Sequence, residues 1–134
     1  MSRLKITIVL VTYKRPDGLN RTLESIFRQT RQADELIVCD DASEDETEEV
    51  VAKWKMRIPM LRYIKNETNL GMPGNLNNGI SMASGDLIIN LHDADCYFPE
   101  LLEKAEALLL ENENMGLVFW AFTENYLVDR GLQK

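Results

Sequence analysis

Four short apolar runs each break off into polar or turn residues, and that repetition limits the folds open to this chain. Ile6 to Val11 ends in Thr12-Tyr13-Lys14-Arg15, and Leu36 to Cys39 ends in Asp40-Asp41. Met60 to Ile64 leads into Asn66 to Asn69 and then Gly71-Met72-Pro73-Gly74-Asn75, while Leu87 to Leu91 ends in His92-Asp93-Ala94-Asp95. The first run, nearly continuous in β-branched residues, suits a strand buried on both faces. Between the runs lie helical signals. Pro16 fits a first turn, and Leu19, Leu23, Ile26 and Phe27 form one stripe. Ser43 and Glu46 have capping-box spacing, with Val50, Val51 and Trp54 facing inward behind them. A further helix is expected through Leu76, Ile80 and Ala83. Another opens at Pro99 and carries Leu101, Leu102, Ala105, Leu108 and Leu109. A fifth strand, Leu117 to Phe122, and the start of a hairpin at Tyr126-Leu127-Val128 follow.

The β-α-β alternation predicts an α/β fold, a mostly parallel sheet with helices on both faces and right-handed crossovers. In such a sheet the carboxyl ends of the strands share one edge, and ligands bind in the crevice outside it. With 134 residues, 45% of them apolar and 28% charged, the chain forms one ordinary domain. No apolar run reaches the ~18 residues of a membrane span, and the start, Met1-Ser2-Arg3-Leu4-Lys5, does not read as a secretory signal. Cys39 and Cys96 do not form a disulfide framework, so a reduced cytoplasmic setting is the simpler reading. A net charge of −7 argues against nucleic acid, which needs clustered Lys and Arg, but not against a nucleotide whose diphosphate is bridged by a cation.

The edge residues suggest a site for a phosphorylated ligand with a metal ion. Tyr13 can stack on a base, although a partly buried structural tyrosine is the commoner case. Asp40-Asp41 can accept from a base or ribose donor or can cap the turn before Ser43, and the two readings weigh equally. The stretch Gly71 to Asn75 allows close backbone approach and offers the N-terminus of a helix to an anion. Asp93 and Asp95 are carboxylates of the kind that Mg²⁺ or Mn²⁺ prefers. His92 is the sole histidine, and it can be a ligand or a structural group.

Together these motifs resemble the N-terminal, nucleotide-binding half of family 2 glycosyltransferases, inverting enzymes with a GT-A fold. The resemblance rests on Ile8 to Arg15 with Leu19 and Leu23 to Ile26, on Glu35 to Ser43, on Asn69 to Asn77, and on Ala83 to Asp86 continuing through Leu91 to Asp95 to Pro99-Glu100. It implies a Rossmann-like half-domain over residues 1–134 that lacks the acceptor-binding half. The implied donor is a nucleotide-diphosphate sugar, usually a UDP-sugar, with Mg²⁺ or Mn²⁺ as cofactor and a sugar or glycan of unknown identity as acceptor. By position, Val11 and Tyr13 hold the base, Asp41 reads uracil, Asp93 lies near ribose and diphosphate, and Asn75 joins the nucleotide-binding set. Asp93 and Asp95 are the candidate metal ligands. The chain departs from the family at Ala94, which stands where the main metal-binding Asp belongs. The general base is expected in the missing half, so this chain alone is expected to transfer sugar poorly or not at all. The alternative is a non-catalytic nucleotide-binding or assembly module. A nucleotidyltransferase fits less well, because no glycine follows the first strand until Gly18. The edge at Leu117 to Phe122 is expected to mediate self-association.

Overall fold

The structure, a computed structural model, describes residues 3–116. The elements run β1 (Ile6–Thr12), α1 (Pro16–Phe27), β2 (Glu35–Asp40), α2 (Thr47–Lys55), β3 (Leu61–Lys65), α3 (Gly71–Met82), β4 (Leu87–His92) and α4 (Leu101–Glu111). The expected fifth strand, the hairpin and the self-association edge lie outside the described residues.

The four strands form one parallel sheet in the order β3-β2-β1-β4. The chain therefore moves outward from β1 to β3, then crosses back to lay β4 on the other side of β1. Period-2 alternation sorts the strand residues. Ile6, Ile8, Leu10, Leu36, Val38, Ile89 and Leu91 pack against Leu19 and Leu23 of α1, Val51 and Trp54 of α2, and Leu102 and Ala105 of α4. Val9, Val11, Ile37 and Cys39 face the other way, towards Leu76 and Ala83 at α3. Reversing the direction in which strands are added to the sheet, under one handedness of crossover, puts α3 on the opposite face. Burying a Leu or Ile of this core contributes about 1.5–3 kcal/mol.

Several local expectations shift. The third strand starts one residue later than Met60 and ends one later than Ile64. The capping box at Ser43 does not form. Helix α2 begins at Thr47, whose N–H donates to Asp45 (2.9 Å), and the Ser43 hydroxyl accepts instead from the Lys14 N–H (2.8 Å). The Gly71 to Gly74 stretch is the first turn of α3 rather than a loop before it. The inward residues of α3 are Asn75 and Gly79, while Ile80 is exposed. A Cβ on Gly79 would stand 2.6 Å from both Cys39 Sγ and Val9 Cγ1, so a bare backbone lets α3 lie close on β1 and β2. Burial against this helix raises the Cys39 thiol to about 11, which keeps it protonated.

The amino end of β1 is held by charge. Arg31 pairs with Asp34 and Glu106, both at 3.0 Å, and donates to the Leu4 carbonyl. Glu106 accepts from the Leu4 N–H (2.9 Å) and Asp34 from the Ile6 N–H (2.8 Å), so the cluster ties α4 and the α1–β2 loop to the first strand. The Arg31 hydrogen bond outweighs burial and holds the Glu106 carboxyl below its ordinary range. Burial pushes Asp34 up, but the Ile6 N–H and Arg31 overcome it and leave that carboxyl lowered as well. Carboxyls lowered on folding stabilise the fold above their unfolded range near pH 4, and that contribution disappears as the pH falls through the folded values. The thermal midpoint is therefore expected to fall steeply below about pH 4. Arg31→Ala should lower stability at pH 7 by about 1–3 kcal/mol and flatten that acid dependence, as read by melts across the pH range.

Candidate functional site

Parallel register brings the carboxyl ends of β1, β2 and β4 level. Val11 lies opposite both Cys39 and His92, and Thr12 opposite Asp40. Beyond these ends a cleft of about 460 Å³ opens, bounded by Val11, Tyr13, Asp41, Asn75, Asp93 and the first turn of α3. It lies where the strand order reverses, the place where open α/β sheets hold ligands. Five residues chosen from the sequence thus meet in one hollow of the size of small-molecule sites.

Asp93 joins two strand ends. Its Oδ2 accepts from the Thr12 hydroxyl (2.8 Å) and the Tyr13 N–H (3.2 Å), while Oδ1 lies 4.0 Å from the Arg15 guanidinium. The first turn of α1 presses against the same place. A Cβ on Gly18 would come within 2.5 Å of the Asp93 carbonyl oxygen.

The paired acids of β2 divide their work. Asp40 is fully buried and accepts from the Ser43 N–H and the Tyr63 hydroxyl, so it shapes the turn. Burial and that carboxylate together push the Tyr63 phenol above its ordinary range. Asp41 lines the cleft. Its Oδ1 accepts from Asn66 Nδ2 (3.0 Å) and the Leu70 N–H (2.7 Å), and its Oδ2 has no hydrogen-bond partner among the described residues. Asn66 donates also to Asn75 Oδ1 (2.9 Å) and accepts from Asn78 Nδ2 (3.1 Å), and Asn75 donates to the Cys39 carbonyl (2.8 Å). The amide of Asn75 is thus committed to the protein, and its place in the cleft is that of a support for Asp41.

Tyr13 is 41% exposed, with the Lys14 ammonium 5.2 Å from its ring centroid. Lys14 and Ala42 both adopt left-handed backbone, φ 51° and 67°, at the turns leaving β1 and β2. His92 lines the cleft. Its N–H donates to the Tyr97 hydroxyl (3.0 Å). Two residues absent from the sequence-based choice prove central, Thr12 and Asn66. Both follow or end a strand and carry a short hydrogen-bonding side chain, which is the signal that was available.

The acids proposed for a metal do not come together. After β4 the chain turns, with the Asp95 N–H on the His92 carbonyl (3.3 Å) and the Asp95 carbonyl accepting from Thr22. This leaves the Asp95 side chain exposed and outside the cleft lining, in which Ala94 takes part without a donor atom. Among the described residues no three His, Cys, Asp or Glu side chains cluster as metal ligands. Mg²⁺ keeps several waters and is usually held by one or two carboxylates together with the substrate's phosphates. Here the free oxygen of Asp93 already faces the Arg15 guanidinium and Ala94 adds no side-chain ligand, so the described side chains make a poor holder for Mg²⁺ or Mn²⁺.

The fold and its cleft define a Rossmann-like α/β class with a crevice at the carboxyl edge of the sheet. The chain belongs to glycosyl transferase family 2, whose family model matches residues 7–132. An uncharacterized glycosyltransferase of Haemophilus influenzae is 32% identical over 114 residues, covering 85% of this chain and 37% of the relative. The GalNAc(5)-diNAcBac-PP-undecaprenol beta-1,3-glucosyltransferase of Campylobacter jejuni is 34% identical over 113 residues, covering 84% of this chain and 35% of that protein. S. aureus TarS, solved with UDP, superposes with a TM-score of 0.76 at 25% identity, over 90% of this chain and 40% of that one. A mannosyltransferase from Pyrobaculum calidifontis, solved with GDP-Man and Mn²⁺, shares the fold at a TM-score of 0.71 and 24% identity, over 81% of this chain and 32% of that one. The chain thus spans a little over a third of the length of the two curated relatives. Among the described residues no helix is long and apolar enough to cross a membrane.

Two substitutions check the architecture. Gly18→Ala forces a methyl group against the Asp93 carbonyl and should destabilise the fold by about 1–3 kcal/mol in urea unfolding. Asn66→Ala removes a shared donor from Asp41 and Asn75, leaves buried acceptors under-satisfied and should reduce stability by about 1–3 kcal/mol. Wild-type unfolding midpoints for both variants would refute the packing and network described.

Proposed function

We propose that this chain forms the donor-binding part of a glycosyltransferase that moves a sugar from a nucleotide-diphosphate sugar, a UDP-sugar, to an acceptor hydroxyl with inversion at the anomeric carbon. The observation that supports this most is the shared cleft, where the Tyr13 ring, the partnerless Oδ2 of Asp41 and Asp93 stand together. Tyr13 stacks on the base, a contact worth about 1–3 kcal/mol in single-strand nucleic-acid binders. The backbone at Val11 borders the base, and Asp41 Oδ2 accepts the imide N–H of uracil. Asn75 holds Asp41 in place through Asn66. Asp93 lies on the ribose and diphosphate side.

In the reaction, a base takes the proton of the acceptor hydroxyl, whose oxygen attacks the anomeric carbon from the face opposite the nucleotide. The bond to the diphosphate breaks, and the nucleoside diphosphate leaves with the electron pair. Attack from the opposite face is what inverts the centre. None of the described residues is assigned as the base, because Asp41 and Asp93, the acids at the cleft, both serve the donor. The chain alone therefore transfers sugar slowly or not at all, and efficient transfer from a UDP-sugar to a sugar acceptor by the chain alone would overturn that part. We place it in a reduced cytoplasmic setting, in keeping with a buried Cys39 and an exposed Cys96, both free.

Calorimetric titration with UDP and with uridine tests the reading. Both should bind, and Asp41→Asn should weaken both by roughly tenfold or more, the loss of a charge-assisted hydrogen bond. A second reading, a non-catalytic assembly module, draws on Ala94, which leaves the cleft without its expected acid. Absence of UDP binding with and without Mn²⁺ would favour that module.

A further inference from the structure

The diphosphate of such a donor must be met by positive charge, and the described residues place one permanent cation at the cleft. This need for positive charge follows from the donor-binding reading above. The cleft presents two carboxylates, Asp41 and Asp93, and an added diphosphate would face like charge unless a cation intervened. A protein-held divalent ion is poorly served by the described side chains: Ala94 has no side-chain ligand atom, the exposed Asp95 lies outside the cleft lining, and the free oxygen of Asp93 already faces the Arg15 guanidinium. Lys14 is drawn aside over the Tyr13 ring. Arg15 remains.

Its setting is built rather than incidental. Arg15 is the residue before α1; its carbonyl accepts the Leu19 N–H (2.8 Å), and Pro16 fixes the next φ. Gly18 seats that first turn against the Asp93 carbonyl, so the backbone of Arg15 is fixed relative to Asp93. Arg15 lines the cleft, with its side chain 62% exposed. At 4.0 Å from Asp93 Oδ1 it is close enough to be aimed by the carboxylate yet beyond hydrogen-bond distance. None of its five donors is engaged in a hydrogen bond among the described residues. A planar, always-charged fork of this kind matches two phosphate oxygens at once.

We propose that Arg15, aimed by Asp93, clamps the diphosphate of the nucleotide donor and takes the charge-neutralising place of a divalent cation, so that this chain binds nucleoside diphosphates without metal. Asp93 is then a positioning residue for the guanidinium, and Ala94 costs the site nothing.

Calorimetry of the full chain with UDP, once in EDTA and once in excess Mn²⁺, decides it, with uridine as the probe that lacks phosphate. UDP is expected to bind in EDTA with an affinity close to that in Mn²⁺. Arg15→Ala should weaken UDP roughly ten- to hundredfold, the loss of charge-assisted hydrogen bonds, and leave uridine unchanged, which also shows that the variant is folded. Arg15→Lys should recover only part of the affinity, because a point charge lacks the fork. UDP binding that vanishes in EDTA and returns with Mn²⁺ overturns the clamp while leaving donor binding intact. An Arg15→Ala variant that binds UDP like the wild type overturns it as well. Failure of both UDP and uridine to bind under either condition overturns the donor-binding reading itself.

Discussion

One oxygen of Asp93 receives two donors from the end of β1, and the geometry of the cleft depends on that junction. Strands β1 and β4 are remote in sequence, and their ladder ends at the pair Val11 and His92. Beyond that pair nothing in the sheet obliges the two chain ends to stay together. The Thr12 hydroxyl and the Tyr13 N–H, both on Asp93 Oδ2, extend the connection past the last ladder bond. The same contact sets the direction of Tyr13, brings Asp93 Oδ1 round to Arg15 and leaves room for α1 only because residue 18 is glycine.

The other wall is held by amides instead of charge. Asp41, Asn66, Asn75 and Asn78 hand hydrogen bonds from one to the next and end on the Cys39 carbonyl. A buried carboxylate is expensive unless its lone pairs are met. Here one oxygen is met twice and the other is left for a ligand, which keeps Asp41 rigid without using its remaining acceptor. The hydrogen bonds that are made favour one arrangement of these side chains over its alternatives. It also explains why α3 turns Asn75 and Gly79 inward where an apolar stripe would be the usual choice. The helix is there to carry the network and to approach the sheet closely.

The parallel sheet was legible because β-branched runs separated by helical stripes allow few other folds, and its common edge followed from topology alone. That is why Val11, Tyr13, Asp41, Asn75 and Asp93 could be gathered in advance. Period-2 alternation would also have separated Asp40, on the face of Leu36 and Val38, from Asp41, on the face of Cys39. What stayed hidden depends on contacts between distant residues. Thr12 acquires its role from Asp93, Gly18 from the Asp93 carbonyl, and Ser43 from Lys14, each across a separation that no local pattern reports. Ile80 is exposed although its spacing from Leu76 is that of an apolar stripe. The turn that carries Asp95 away from the cleft depends on Thr22, again a tertiary partner.

The charge of the whole chain, −7, is a poor guide to what the cleft can hold. Glu44, Asp45, Glu46, Glu48 and Glu49 are exposed around the start of α2, where the helix dipole and water accommodate them. Asp34, Glu35 and Glu106 are answered by Arg3, Arg31 and Arg62 at the far end of the strands. Among the described residues two acids face the cleft, and each has one oxygen taken by protein donors before any ligand arrives. The field met by an incoming anion is set by these few groups at short range, since exposed charges more than about 10 Å away are largely screened at ordinary salt. Among the described residues Arg15 is the one permanent cation lining the cleft, so for an incoming anion its position matters more than the charge of the whole chain.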